Sequence, residues 1–165
     1  MNINLLSNRY KVKRLTENDI EEIYALCIKN TMYYQHCPPL VSKESVSDDM
    51  KALPPGKLMD DKFYLGYFDG DRLIAVLDLI MHFPDEHTAF IGFFMTDVGV
   101  QKTGTGSEII SELCGGLSAL GISHLRLAWI KGNSQAEHFW HKNGFTELKE
   151  SCDDDRLVVV ATRDI

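Results

Sequence analysis

The sequence has no excess of basic residues, no long apolar run and no cysteine pair at motif spacing. Its 165 residues carry 17 Lys plus Arg against 24 Asp plus Glu, a formal net charge of −7. That balance excludes a duplex nucleic-acid binder, which needs a basic face to displace counterions, and permits a cationic small-molecule partner. No window approaches the roughly 18 apolar residues of a membrane span. The opening segment MNINLLSNRYKVKRL lacks a basic stretch followed by an apolar one, so no signal peptide is expected. The four cysteines, Cys27, Cys37, Cys114 and Cys152, form no CxxC pair, which argues against zinc ribbons and thioredoxin-like redox sites, and no metal is expected. Cys27 and Cys114 fall in helical patterns as reduced, packed thiols, and the compartment expected is the cytoplasm. No repeat, low-complexity tract or linker divides the chain, so one domain is expected over residues 1–165.

What is present is an ordinary globular composition, 44% hydrophobic and 25% charged, with clear periodicities. Residues 9–15 alternate as a half-buried strand. Thr16 and Asp19 then form an approximate capping box for a helix carrying Ile20, Ile23, Tyr24 and Cys27, stopping near Asn30. Residues 31–42 read as a loop ended by Pro38 and Pro39. Ser42 or Ser45 caps a second helix through Val46, Met50 and Leu53, closed by Pro54-Pro55-Gly56. Residues 63–68 and 72–83 are strands joined at Asp69-Gly70, a strong hairpin signal. A third strand spans about Thr88 to Thr96. Both faces of 73–81 and 89–96 are mostly apolar, so helices must cover the sheet on both sides. A helix follows from Gly104 to Leu120, in which Gly115 and Gly116 suggest close packing on the sheet. Next come a strand (124–130), a short helix (Ser134 to Lys142), and strands at Phe145 to Leu148 and Leu157 to Thr162 around an acidic turn, Asp153–Asp155. The fold class is a single-domain mixed α/β.

The segment VGVQKTGTGSEII (98–110) is the most informative. A buried strand ends, a Gly/Thr turn follows, and an amphipathic helix begins. Helix-start amides have no internal partners, and with the helix dipole they suit a pyrophosphate. Ser107-Glu108 after Gly106 excludes the Walker pattern, and Ile109 in place of a third glycine argues against a dinucleotide fingerprint.

In that context Gln101-Lys102-Thr103-Gly104-Thr105-Gly106 resembles the Q/R-x-x-G-x-G/A motif of the GNAT (Gcn5-related) N-acetyltransferases. Asn133-Ser134-Gln135-Ala136 followed by Phe139-Trp140-His141-Lys142-Asn143-Gly144-Phe145 is similar to that family's second motif, and 14–23 to its first strand and helix. The resemblance implies a mostly antiparallel sheet with helices on both faces, and acetyl-CoA as co-substrate in a V between the fourth and fifth strands. It implies pantetheine contacts at Phe94, Met95, Thr96 and Asn133, and pyrophosphate contacts at the backbone of Thr103, Gly104, Thr105, Gly106 and Ser107. Gln101, Phe139 and Trp140 complete the expected cofactor set, with Lys102 a weaker candidate for a phosphate. It also implies transfer of an acetyl group to a primary amine of a small molecule by direct attack. The alternatives are a protein or peptide acetyltransferase and a non-catalytic acetyl-CoA sensor. A homodimer is compatible with the family.

Direct attack needs a base for the amine and a donor for the departing thiolate. Where the family commonly carries a tyrosine donor, this chain has Trp140, whose indole is no acid at neutral pH. Tyr33 and Tyr34 are candidate donors, with His138 and His141 behind them. Asp78, on an apolar strand face, is the first candidate base because burial raises a carboxyl pKa, and Asp97 is a weaker one. Tyr33, Tyr34 and His36 are candidates to line the acceptor pocket. Glu86, His87 and the acidic turn read as solvated.

Overall fold

The computed structural model describes residues 1–153 and 156–165, so Asp154 and Asp155 of the acidic turn lie outside the described residues. Strand alternation produces seven strands: β1 (Lys11–Arg14), β2 (Lys62–Asp69), β3 (Arg72–Ile80), β4 (Thr88–Thr96), β5 (His124–Ile130), β6 (Thr146–Asp153) and β7 (Arg156–Asp164). They form one sheet in the order β1-β2-β3-β4-β5-β7-β6. All neighbours run antiparallel except β4 and β5, which are parallel. The helices are α1 (Ile20–Cys27), α2 (Thr31–His36), α3 (Lys43–Lys51), α4 (Thr105–Ala119) and α5 (Ser134–Lys142). No helix among the described residues is long and apolar enough to cross a membrane.

The two apolar faces of β3 and β4 divide the core. Leu77, Leu79 and Ile91 pack with Ile109, Ile110, Leu113 and Leu117 of α4. On the other side Val76 and Met95 pack with Ile23, Leu26 and Cys27 of α1 and with Val46 and Met50 of α3. Helices therefore lie on both faces, as a sheet apolar on both sides requires. Local signals fix the ends. The Asp19 carboxylate accepts from the Thr16 amide at 2.7 Å and from its hydroxyl, and the Ser42 hydroxyl caps α3 through the Ser45 amide at 3.1 Å. Among the described residues no cysteine is in a disulfide.

Three expectations are corrected. Residues 31–36 form helix α2 rather than loop; six residues rich in aromatics carry too little apolar periodicity to reveal a helix. The last two strands are longer than expected, because β6 is an edge whose outer face is polar and β7 pairs on both sides. The α4 glycines do not meet the sheet. A Cβ on Gly116 would lie 2.2 Å from the Leu5 carbonyl oxygen of the N-terminal turn (Ile3–Leu6), whereas one on Gly115 would meet open space. Gly116→Ala is therefore expected to cost about 1–3 kcal/mol by overpacking. Gly115→Ala is expected to gain up to about 1 kcal/mol from helix propensity. Urea unfolding of the two variants measures both; equal effects would refute this packing role for Gly116.

Candidate functional site

The parallel pairing of β4 with β5 runs from Thr88↔His124 to Ile91↔Leu127 and stops there. Both strands continue, β4 to Thr96 and β5 to Ile130, so the sheet opens into a V. The point of divergence coincides with a β-bulge. Opposite β3 the register passes from Leu79↔Ile91 to Asp78↔Phe93, leaving Gly92 as the extra residue. A bulge bends its strand and strengthens its twist, and Gly92 is solvent-exposed on an otherwise covered strand.

Beyond β4 the chain makes a tight turn into α4. Asp97 fixes its start by accepting from the Gly99 amide at 2.9 Å. Lys102 takes φ +61° and Gly104 φ +95°, and such left-handed turns turn amides toward a common concavity. Glu108 is the first residue of α4 with an internal backbone acceptor, Gly104 O at 3.0 Å. Among the described residues the amides of Thr105, Gly106 and Ser107 therefore have no helical partner, leaving the helix N-terminus open to an anion. The Thr103 hydroxyl donates to Val100 O at 2.7 Å and lies 2.9 Å from the Thr105 hydroxyl. Lys102 is exposed.

The Gln101 side chain does not point to that concavity. Its Nε2 donates to Asn30 Oδ1 at 2.6 Å and to Thr96 O at 3.3 Å, and Asn30 Nδ2 donates to the same carbonyl at 3.2 Å. Gln101 thus braces the turn, and the Thr96 carbonyl is already engaged. Asn30 was not foreseen as part of the site. Nothing local marks an asparagine after a helix as a brace for a turn some 70 residues on.

One wall of the V is aromatic. Phe94 stacks on Phe139 with centroids 6.0 Å apart, and Trp140 lies against Phe139 and Phe145 at 4.9 and 5.1 Å. A Cβ on Gly106 would meet the Phe139 ring at 3.2 Å and Thr96 Cγ2 at 3.5 Å, so the glycine is what lets α4 approach this wall. Asn133 is buried and spends its Oδ1 capping α5, accepting from the Ala136 amide at 3.1 Å. Met95 turns its side chain into the core beneath α1. Trp140 is 8% exposed and fills the wall.

Asp78, Tyr33 and Tyr34 lie on the other face of the sheet, under α1–α3. Asp78 pairs in register with Phe93, and Phe93 meets the Tyr33 ring edge-on at 5.8 Å. Burial raises both tyrosine hydroxyls above their ordinary range, so they remain neutral donors. The Asp78 carboxylate reaches the bulge: a Cβ on Gly92 would stand 2.5 Å from its Oδ2. That oxygen also accepts from Lys62 Nζ at 2.7 Å, while Oδ1 is buried with no partner. Burial pushes the Asp78 carboxyl up and Lys62 draws it only part of the way back. Lys62 was missed, although the hairpin register that pairs Tyr64 with Asp78 already sets Lys62 two residues along on the same face. Gly92 carried a signal too, since a lone glycine inside a strand marks a bulge.

Asp97 is committed to the turn and to two cations. Burial pushes its carboxyl up, but the Gly99 amide, Arg72 and Lys29 outweigh that and hold it below its ordinary range. Arg72 makes a close ion pair with it and Lys29 stands at 3.5 Å. A carboxyl held low stabilises the fold above its unfolded pKa and loses that contribution as pH falls through the folded value. Asp97→Asn is expected to cost about 1–3 kcal/mol at pH 7, with the difference from the parent shrinking below about pH 4. Urea unfolding at several pH values tests it, and a pH-independent difference contradicts it. His141, on the outer face of α5, lies 3.3 Å from Glu147, and Glu86 and His87 are exposed; these stand apart from the bulge.

Residues 22–145 match the model of the acetyltransferase (GNAT) family. The chain belongs to this family. A search of the curated proteins finds no significant sequence match. Among solved structures, an acetyltransferase from Thermus thermophilus aligns with a TM-score of 0.79 at 18% identity, covering 94% of this chain and 97% of that one. A spermidine N-acetyltransferase chimera of Vibrio cholerae SpeG and hSSAT aligns at 0.70 and 16% identity, over 95% and 96%. The ribosomal-protein-S18-alanine N-acetyltransferase of Escherichia coli aligns at 0.66 and 14% identity, over 94% of both chains. At these identities the likeness establishes the fold, a GNAT sheet with helices on both faces.

Proposed function

We propose that this protein is an acetyl-CoA-dependent N-acetyltransferase that acetylates a primary amine of a small molecule. The observation that carries the reading is the V between β4 and β5 with the open amides of Thr105, Gly106 and Ser107 at its mouth. A strand edge without a partner suits an amide-bearing arm such as pantetheine, and free helix-start amides suit a pyrophosphate. In this reading the backbone of Phe94, Met95 and Thr96 and the side chain of Asn133 receive the arm. Thr103 through Ser107 receive the phosphates, Gln101 holds the turn, and Phe139 and Trp140 form the wall.

Bound acetyl-CoA supplies an activated thioester, and the chain supplies the proton handling. Asp78 takes the proton that an ammonium must lose before its nitrogen can bond to the thioester carbon. As the carbon–sulfur bond breaks, the nitrogen sheds its second proton, and that proton reaches the sulfur by way of a hydroxyl, Tyr33 or Tyr34, which gives one proton to sulfur, takes the other from nitrogen and ends neutral. The acceptor side favours an amine by its chemistry: Asp49 and Asp78 provide negative charge, and Tyr33, Tyr34 and Phe93 provide aromatic surface. The four free thiols suit a reducing cytoplasm.

Acetyl-CoA at 100 times its dissociation constant is expected to stabilise the protein by about 2.7 kcal/mol. Release of CoA thiol should follow when a panel of small primary amines is added. No stabilisation by acetyl-CoA would refute the reading, and turnover with peptides alone would move the acceptor to protein. Trp140 favours one rival, a sensor that binds acetyl-CoA without turnover, which cofactor binding with no CoA release from any amine would support.

A further inference from the structure

Lys62 is 1% exposed, an unusual place for a lysine. It stands at the head of β2 and donates to Asp78 Oδ2 at 2.7 Å. That oxygen fills the notch left by the missing side chain of Gly92, at the bulge where β4 leaves β5. The second oxygen, Oδ1, is buried and unpartnered. An ion pair retained for stability alone would be expected to satisfy both oxygens, because an orphaned buried acceptor is costly. Here one oxygen is anchored and the other is left free.

The charge count around Asp78 is unbalanced. Lys62 and Tyr64 face it from β2, Asp49 acts on it from α3, and Phe93 and Gly92 lie beside it on β4, with Tyr33, Tyr34 and Cys27 in the apolar cluster on the same side of the sheet. Among these groups Lys62 is the single cation. Burial and Asp49 both favour the protonated carboxyl, and Lys62 alone opposes them. A protonated Asp78 has no capacity to take a proton from an ammonium.

We infer that Lys62 is a positioning residue, which anchors Asp78 through Oδ2 beneath the Gly92 bulge and keeps its carboxylate ionised and able to receive the acceptor's proton. This rests on the functional reading above. The first proton passes from the ammonium nitrogen to the Asp78 carboxylate, the freed electron pair forms the N–C bond, the electrons of the C–S bond leave with sulfur, and the nitrogen's second proton goes to that sulfur as the amide forms.

The test uses Lys62→Met and Lys62→Arg, with acetyl-CoA binding measured for each. In Lys62→Met the acid limb of the kcat/KM profile should move up by about 1–3 pH units, so activity lost at neutral pH returns in alkali. Lys62→Arg, which keeps the charge, should restore most of the wild-type profile. A uniform loss at every pH in Lys62→Met, with cofactor binding intact, would mean that the pair only packs the core and would overturn the inference. A second measurement does not depend on turnover or on the variants folding. The carboxyl carbon of Asp78, followed by NMR in the wild type, should report an ionised group at neutral pH; a protonated one overturns the proposal. Absent turnover beside an ionised Asp78 would instead sink the reading of function and leave the anchoring role of Lys62 standing.

Discussion

Gly106→Asp is expected to abolish acetyl-CoA binding while leaving the protein folded. The two effects separate because one new charge acts with opposite sign on the helix and on the ligand. An aspartate in the first turn of α4 complements the helix dipole and open amides, a gain of about 0.3–1 kcal/mol. The same carboxylate would stand where the pyrophosphate is proposed to bind. Two like charges about 4 Å apart repel by about 4 kcal/mol at an effective dielectric constant near 20, roughly a thousandfold in affinity. The added Cβ also presses the Phe139 ring, 3.2 Å away, and the ring must shift by a few tenths of an ångström. Isothermal titration with acetyl-CoA, beside a thermal melt of the free protein, gives both readings. Unchanged affinity would place the phosphates elsewhere. An unfolded free protein would show that contact with Phe139, not charge, dominates.

The prominence of this turn in the sequence has a physical cause. A strand-to-helix turn that exposes amides needs glycine at a left-handed position and wherever a side chain would block approach, and Gly104 and Gly106 meet those needs in order. Both motifs are local, so the turn and the aromatic wall proposed to hold the cofactor could be read from short segments. The strand alternation that set the central sheet is equally local. The proposed acceptor half is assembled from distant pieces. Lys62 meets Asp78 only through a hairpin register, Asn30 meets Gln101 only once α1 lies on the sheet, and Gly92 matters only because β4 diverges from β5 there. Helix α2 escaped notice because six residues of mixed character carry no period, yet it brings Tyr33 against Phe93. Asp78 itself could be singled out, since a carboxylate on an apolar face must be compensated. What compensates it was not local.

Removing one member of the Lys62–Asp78 pair is expected to cost about 3–5 kcal/mol, because the remaining charge is left buried and unpaired. Asp78→Leu and Lys62→Met should each lower the unfolding midpoint strongly. The double variant should recover most of that loss, since apolar pairs of similar volume often match or exceed a buried ion pair. With Asp78 gone the double variant is nonetheless expected to lack acetyl transfer. Urea unfolding of the four proteins closes the cycle, with a coupling energy of about 2 kcal/mol or more expected for groups in direct contact. Additive losses would show that the 2.7 Å contact carries little energy. Restored stability with restored turnover would remove Asp78 from the chemistry and leave the acceptor's proton to another group. Restored stability without turnover assigns the charges to function, because a stable core at this site would then need neither of them.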